Sequence, residues 1–217
     1  NLGEVLRELG DYDEARAAYQ RALAIFETVL GSEHPNVATL VNNLGLVFKA
    51  MGDHHGAKAA YQRALAIDEA VFGPDHPNVA RDVNNLGGVL HAMGDHHGAK
   101  AAFQRALAID EAVFGPDHPH VARDVNNLGY VLQDLGDHAG AKAAFQRALA
   151  IDEADFGPDH PQVAIFVNNL GGVLHAMGDH PGAKAAYQRA LRILKQYFPD
   201  DHPDVRLVVE NMARLDE

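Results

Sequence analysis

Cysteine is absent from the 217 residues, and serine occurs once, at Ser32. The missing thiols exclude disulfides, thiolate metal sites and cysteine nucleophiles, while remaining compatible with either a reducing or an oxidising compartment. One serine leaves no serine-nucleophile machinery. No apolar run approaches the roughly 20 residues that span a bilayer, and the first residues lack a charged-then-apolar leader. A cytoplasmic protein with no membrane association is therefore expected. Positive charge is also scarce: 18 Lys and Arg stand against 30 Asp and Glu, a formal charge of -12. Nucleic acid or an acidic membrane surface would be repelled on average, so the expected partners are proteins or peptides. No glycine-rich phosphate loop is visible, because the glycines recur on the clock described next, at expected helix ends. No cofactor is called for, and no catalytic residue or enzymatic activity is expected. What remains is 47% apolar and 22% charged residues, the balance of a chain with a packed core.

The dominant feature is a repeat. Residues 78–119, NVARDVNNLGGVLHAMGDHHGAKAAFQRALAIDEAVFGPDHP, return as residues 120–161 with 35 of 42 positions identical. Repeats are expected at 36–77, 78–119, 120–161 and 162–203, after a diverged and shortened one at 1–35 and before a half-repeat at 204–217. Asn1 aligns with Asn43, inside a repeat, so the sequence reads as a piece of a longer protein. A period in this range indicates one solenoid, in which each unit covers its apolar face only by stacking on its neighbours.

Within a repeat the spacing is helical. Val37, Val41, Leu44 and Phe48 form one stripe of a first helix that Gly52 ends. Asp53 suits the N-cap of a second helix, whose buried side is Ala57, Tyr61, Ala64, Ile67 and Val71. Gly73 suits a left-handed helix end and Pro77 the first position of the next helix. Five helix pairs and a terminal helix give an all-α fold of 11 helices.

Val83-Asn84-Asn85-Leu86-Gly87, followed by Leu90, Gly94, Ala99, Phe103 and Ala106, resembles the tetratricopeptide repeat in order and spacing. The repeat here is longer than the family's usual unit of about 34 residues and carries a Gly-Pro-Asp-His-Pro connector. That longer form resembles the repeats of kinesin light chains. The resemblance implies a right-handed superhelical solenoid of antiparallel helix pairs, whose first helices line a concave groove that holds a peptide or partner protein.

The resemblance also places groove-facing positions at 39, 42, 46 and 49 and their equivalents, and the i, i+3, i+7, i+10 spacing puts them on one helix face. Position 42 is asparagine throughout (Asn42, Asn84, Asn126, Asn168), and Asn43, Asn85, Asn127 and Asn169 follow it. An amide offers two donors and an acceptor, suited to a peptide backbone of any sequence. The second asparagine of each pair alternatively holds neighbouring repeats in register. Arg81 and Arg123 are candidates to take a partner's carboxylate, or else pair with Asp82 and Asp124. Lys49, His91, Tyr130, Gln133 and His175 complete the candidate peptide contacts. Their variation fits tuned contacts on a constant scaffold, and equally drift after duplication. The family's clamp for a C-terminal carboxylate requires Lys where Asn42 and Asn84 stand, so it is not expected here.

Adjacent histidines such as His54-His55 and His96-His97 point apart on a turn, and no metal site is expected. His76, His118, His160 and His202 precede a proline and read as caps of the next helix. The acidic pairs 68/69, 110/111 and 152/153 read as solvated surface. At the end of the chain, Val205, Val209 and Met212 continue the packing stripe, while Leu207, Val208 and Leu215 are left for a second copy, giving a homodimer through the terminal repeats. A spacer or self-association array without a ligand is the alternative to a peptide-binding scaffold.

Overall fold

The computed structural model describes residues 2–215, and among them it contains 11 helices and no strand. Two compact units divide the chain, Asn1–Val113 and Phe114–Glu217. The first holds α1 (Leu2–Leu9), α2 (Tyr12–Leu30), α3 (Pro35–Ala50), α4 (His54–Phe72), α5 (Pro77–Ala92) and nearly all of α6 (His96–Phe114). The second holds α7 (Pro119–Asp134), α8 (His138–Phe156), α9 (Pro161–Ala176), α10 (His180–Leu194) and α11 (Pro203–Ala213).

From α3 on, the repeat writes the helix starts chemically. In α3 the first residue is Pro35, whose missing N–H costs nothing there, and the Nδ1 of His34 accepts from the Asn36 backbone N–H at 3.1 Å. The Nδ1 atoms of His76, His118, His160 and His202 cap α5, α7, α9 and α11 in the same way, at 3.1 to 3.3 Å. These four rings also stack on a phenylalanine upstream: Phe72, Phe114 and Phe156, which end α4, α6 and α8, lie 4.4, 4.5 and 4.8 Å from His76, His118 and His160, and Phe198, beyond the end of α10, lies 4.0 Å from His202. From α4 on, the even-numbered helices are capped by an aspartate: Asp53 Oδ1 accepts from the Gly56 N–H at 2.8 Å, and Asp95, Asp137 and Asp179 do the same for Gly98, Gly140 and Gly182, whereas the Asp11 side chain before α2 makes no such bond. Gly73 ends α4 at φ 85°, in the left-handed region that a side chain disfavours.

Inside each pair the helices approach closely because glycine faces an aromatic ring. A Cβ on Gly45 of α3 would lie 2.6 Å from the Tyr61 ring of α4, and one on Gly129 of α7 2.6 Å from Phe145 of α8. These glycines lie mid-helix, which corrects the expectation that glycines sit at helix ends. Their role is to make room rather than to turn the chain.

In the first unit, Ala57 and Tyr61 of α4 close on Val89 of α5, with Leu46 and Phe48 of α3 alongside. In the second, Leu132 of α7, Ala141 and Phe145 of α8, and Val173 of α9 form one cluster, and α9, α10 and α11 form another around Val167, Tyr187, Leu194 and Val208. Each such side chain contributes on the order of 1.5–3 kcal/mol when fully buried. On the outside, ion pairs join successive even-numbered helices, Glu27 to Arg63, Glu69 to Arg105 and Glu153 to Arg189. Being part-exposed, each contributes about 0–1 kcal/mol.

Four expectations about burial are corrected. Val71 is 46% exposed, because α4 has passed beyond α3 by its last turn. Asp68, Asp110 and Asp152 are buried, although the acids beside them, Glu69 and Glu153, reach the surface and pair with arginines. In α11, Val208 is buried while Val209 is exposed. Position 209 corresponds to Val41, which packs against its own second helix, and none follows α11 among the described residues. Position 208 corresponds to Leu40, which faces the preceding repeat and therefore keeps its partners.

Candidate functional site

The first asparagine of each expected groove pair does not present a free amide to solvent. Asn42, Asn84, Asn126 and Asn168 are all buried, Asn42 to 4% exposure. Three of them are held in a ladder between repeats: Asn85 Nδ2 donates to Asn42 Oδ1 at 2.8 Å in the first unit. In the second, Asn169 donates to Asn126 at 2.9 Å and Asn211 to Asn168 at 3.0 Å. Asn85, Asn169 and Asn211 thus carry the register contact, and the first asparagine of the preceding repeat supplies the acceptor. A buried amide of this kind penalises any slip between helices, because a slip leaves a polar atom without a partner.

The two arginines are engaged internally. Arg81 Nε donates to Asp82 Oδ1 at 2.9 Å, and its guanidinium also reaches Asp68 Oδ2 at 3.1 Å. Arg123 donates to Asp124 Oδ1 at 2.8 and 2.9 Å. Lys49 is exposed on α3, with its Nζ 3.3 Å from where a Cβ on Gly88 would stand. His91 is half-buried, with its ring against that of His96.

In the second unit, several expected positions converge on an open cleft of about 440 Å³. Tyr130 and Gln133 of α7 form one wall, Asn168, Asn169 and His175 of α9 the middle, and Leu207, Asn211 and Arg214 of the last helix and its end the other wall. The cleft exists because Gly172 stands where α7 carries Tyr130: among the described residues a Cβ there would meet only the Tyr187 hydroxyl, at 3.8 Å. Tyr187, buried between α9 and α10, forms the floor. Tyr130 donates its hydroxyl to Asn169 Oδ1 at 2.7 Å, so the cleft wall and the asparagine ladder are one hydrogen-bonded assembly. Burial pushes the hydroxyls of Tyr130 and Tyr187 above their ordinary range, opposed by the Asn169 bond in the first case and by Arg214 in the second. Both stay protonated donors at neutral pH.

Among the described residues no carboxylate lines this cleft, although the chain carries 30 acidic residues. Its chemistry is that of amides, phenols, one imidazole and one guanidinium around a hole without a side chain. Nothing here pairs a nucleophile with a base. Sequence reasoning did not assign Tyr187, Asn211 or Arg214 to this surface. Asn211 was legible, since it keeps the second asparagine of the repeat even though Glu210 replaces the first. Of the three residues assigned to self-association, Val208 lies in the core and Leu215 packs against it. Leu207 alone of them is well exposed, at 49%, and it belongs to the cleft.

Equal helix pairs, capped by the same residues and joined by the same side-chain ladder, define an α-helical repeat protein of the solenoid class. The chain belongs to the tetratricopeptide repeat family: the model described as "Tetratricopeptide repeat" matches residues 1–70, 39–112, 82–154 and 124–196. Among solved structures, it is similar to BtubC (BKLC) from P. vanneervenii, with 26% identity over 93% of this chain and 81% of that one and a TM-score of 0.79. A putative kinesin light chain of Podosopora anserina, with nearly identical TPR-like repeats, gives a TM-score of 0.76 at 20% identity, covering 90% of this chain and 92% of that one. MamA follows at a TM-score of 0.61 and 20% identity, over 90% of this chain and 96% of that one. A search of curated proteins returns no match. Proteins of this family generally mediate protein–protein interaction and are typically non-enzymatic scaffolds. No helix among the described residues is long and apolar enough to cross a membrane.

Proposed function

We propose that the chain is a non-enzymatic scaffold that holds an extended segment of a partner protein against its odd-numbered helices, with the cleft around Gly172 as the principal seat. The observation that carries this reading is the convergence of Tyr130, Gln133, Asn168 and His175, all groove positions of the repeat, on one open cleft. Its size is within the range of sites that take a few side chains of a ligand. Asn42, Asn126 and Asn168 spend their carbonyl oxygens in the ladder, so backbone recognition falls to amide donors at the cleft edge and to His175, Gln133 and Asn211. Replacing the asparagines would damage the scaffold itself and does not test the reading.

Filling the cleft does test it. Gly172→Tyr places on α9 the side chain that Tyr130 carries on α7, on a helix that accepts it one repeat earlier. Peptides selected from a random library on the wild-type protein are titrated against this variant by calorimetry. The reading requires at least a tenfold loss of affinity with an unchanged helical spectrum; affinities that survive intact place the binding surface elsewhere.

A further inference from the structure

In the first unit, two carboxyls meet inside the joint between neighbouring repeats. Asp68 of α4 and Asp82 of α5 are each 0% exposed, and one guanidinium, that of Arg81, reaches both. The two side chains lie within hydrogen-bonding reach of each other. Yet Asp68 Oδ1 and Asp82 Oδ2 are sealed from solvent with no donor from the protein. Two ionised carboxylates would leave both oxygens desolvated and unpaired, with one cation against two anions. A single proton between them gives both oxygens a partner and leaves one negative charge opposite one guanidinium.

The other joints show what this place in the fold ordinarily holds. The positions equivalent to 68 and 82 are Phe26 and Leu40 near the start of the chain, and Leu194 and Val208 near its end, where both lie in the apolar cluster of α9 to α11. At the joint of α8 and α9, the pair is Asp152 and Phe166. The seam is therefore apolar at the two ends of the chain, and the acid pair of Asp68 and Asp82 replaces it in the middle repeats, recurring in the sequence at Asp110 and Asp124.

We infer that Asp68 and Asp82 form a proton-binding site between repeats, with Arg81 as counter-ion, so that the joint takes up one proton when it closes and loosens as pH rises. The groups facing the pair are Arg81 and the cap His76 from the α5 side and Tyr61 from α4; Glu69, next to Asp68, is turned outward to Arg105 of α6. Burial raises the affinity of both carboxyls for the proton, and Arg81 opposes it; Asp82 is pushed up to about 7. The folded chain thus holds a proton that the unfolded chain has released above about pH 4. Stability is complete below that pH and is lost as pH rises toward about 7, with the unfolding constant increasing up to about tenfold per pH unit.

Urea unfolding from pH 5 to 8 is compared for the wild type, Asp82→Asn and the double variant Asp68→Leu/Asp82→Val, which copies the Leu194–Val208 joint. Asparagine supplies permanently the donor that the shared proton supplies, so the wild type must lose stability with rising pH relative to Asp82→Asn. Calorimetry in buffers of different ionisation heat must count close to one more proton released on unfolding at pH 6 by the wild type. If Asp82→Asn does not fold, the double variant serves as the reference. A wild-type profile parallel to the folded reference, with equal proton counts, means that both carboxyls are ionised and overturns the inference.

Discussion

Placing a methyl group on Gly171 tests the packing that positions the cleft. Its Cβ would lie 2.6 Å from Cε1 and 2.7 Å from Cδ1 of Tyr187, where relaxed carbon contacts need about 3.5–4.0 Å. The ring is buried among Val163, Val167, Ala183 and Ala190, so it gives way only by displacing α10 from α9. Overpacking of this kind costs about 1–3 kcal/mol, and three ring atoms in close contact point to the upper end. Alanine returns about 1 kcal/mol through its helix propensity, leaving a net loss of about 2 kcal/mol. At about 2–4 °C per kcal/mol for a chain of this size, the melting temperature falls by about 4–8 °C. The adjacent Gly172→Ala meets nothing closer than 3.8 Å and stabilises by up to about 1 kcal/mol. Urea unfolding followed by far-UV circular dichroism reads both. Two neighbouring glycines whose alanine variants shift stability in the same direction would refute the close approach of α9 and α10.

Asn169→Ala removes both the bond to Asn126 and the acceptor of Tyr130, and is expected to cost about 1–3 kcal/mol in urea unfolding, whereas Tyr130→Phe costs about 1 kcal/mol. His34→Ala deletes one helix cap and loses about 1 kcal/mol at pH 7.5. Asp152 is raised to about 6, chiefly by burial and further by Asp155, with His160 opposing. Its folded state therefore holds a proton the unfolded state lacks, and stability falls as pH rises through about 6. Asp152→Asn flattens that part of the profile, as unfolding measured at pH 5 and 7.5 would show.

The fold was legible because its determinants are local and recur. Proline after histidine, aspartate three residues before glycine and glycine after phenylalanine specify the helix ends by backbone chemistry alone, and the stripe of Val37, Val41 and Leu44 specifies the buried face. The helix bounds follow the repeat from α2 to α9, whereas α10 ends at Leu194, four residues short of the position where α4 ends. What was not legible depends on which neighbour a residue meets. Asp68 and Glu69 are adjacent acids, yet one is sealed in a joint and the other pairs with an arginine 36 residues on. The asparagines read correctly as amides on one helix face, but the sequence does not reveal that Asn85 turns its donor to Asn42 rather than to a ligand. Val208 and Val209 exchange the roles expected of them because burial in α11 depends on a second helix that its neighbours have.

The cleft as a seat for an extended partner segment is tested most directly by mapping where a selected peptide sits. Backbone and side-chain amide shifts, recorded by NMR as the peptide is titrated, should move at Tyr130, Gln133, Asn168, His175 and Asn211, and should leave the outer faces of α8 and α10 unchanged. A footprint confined to α8 and α10, with the amides of α9 and α11 undisturbed, would contradict it.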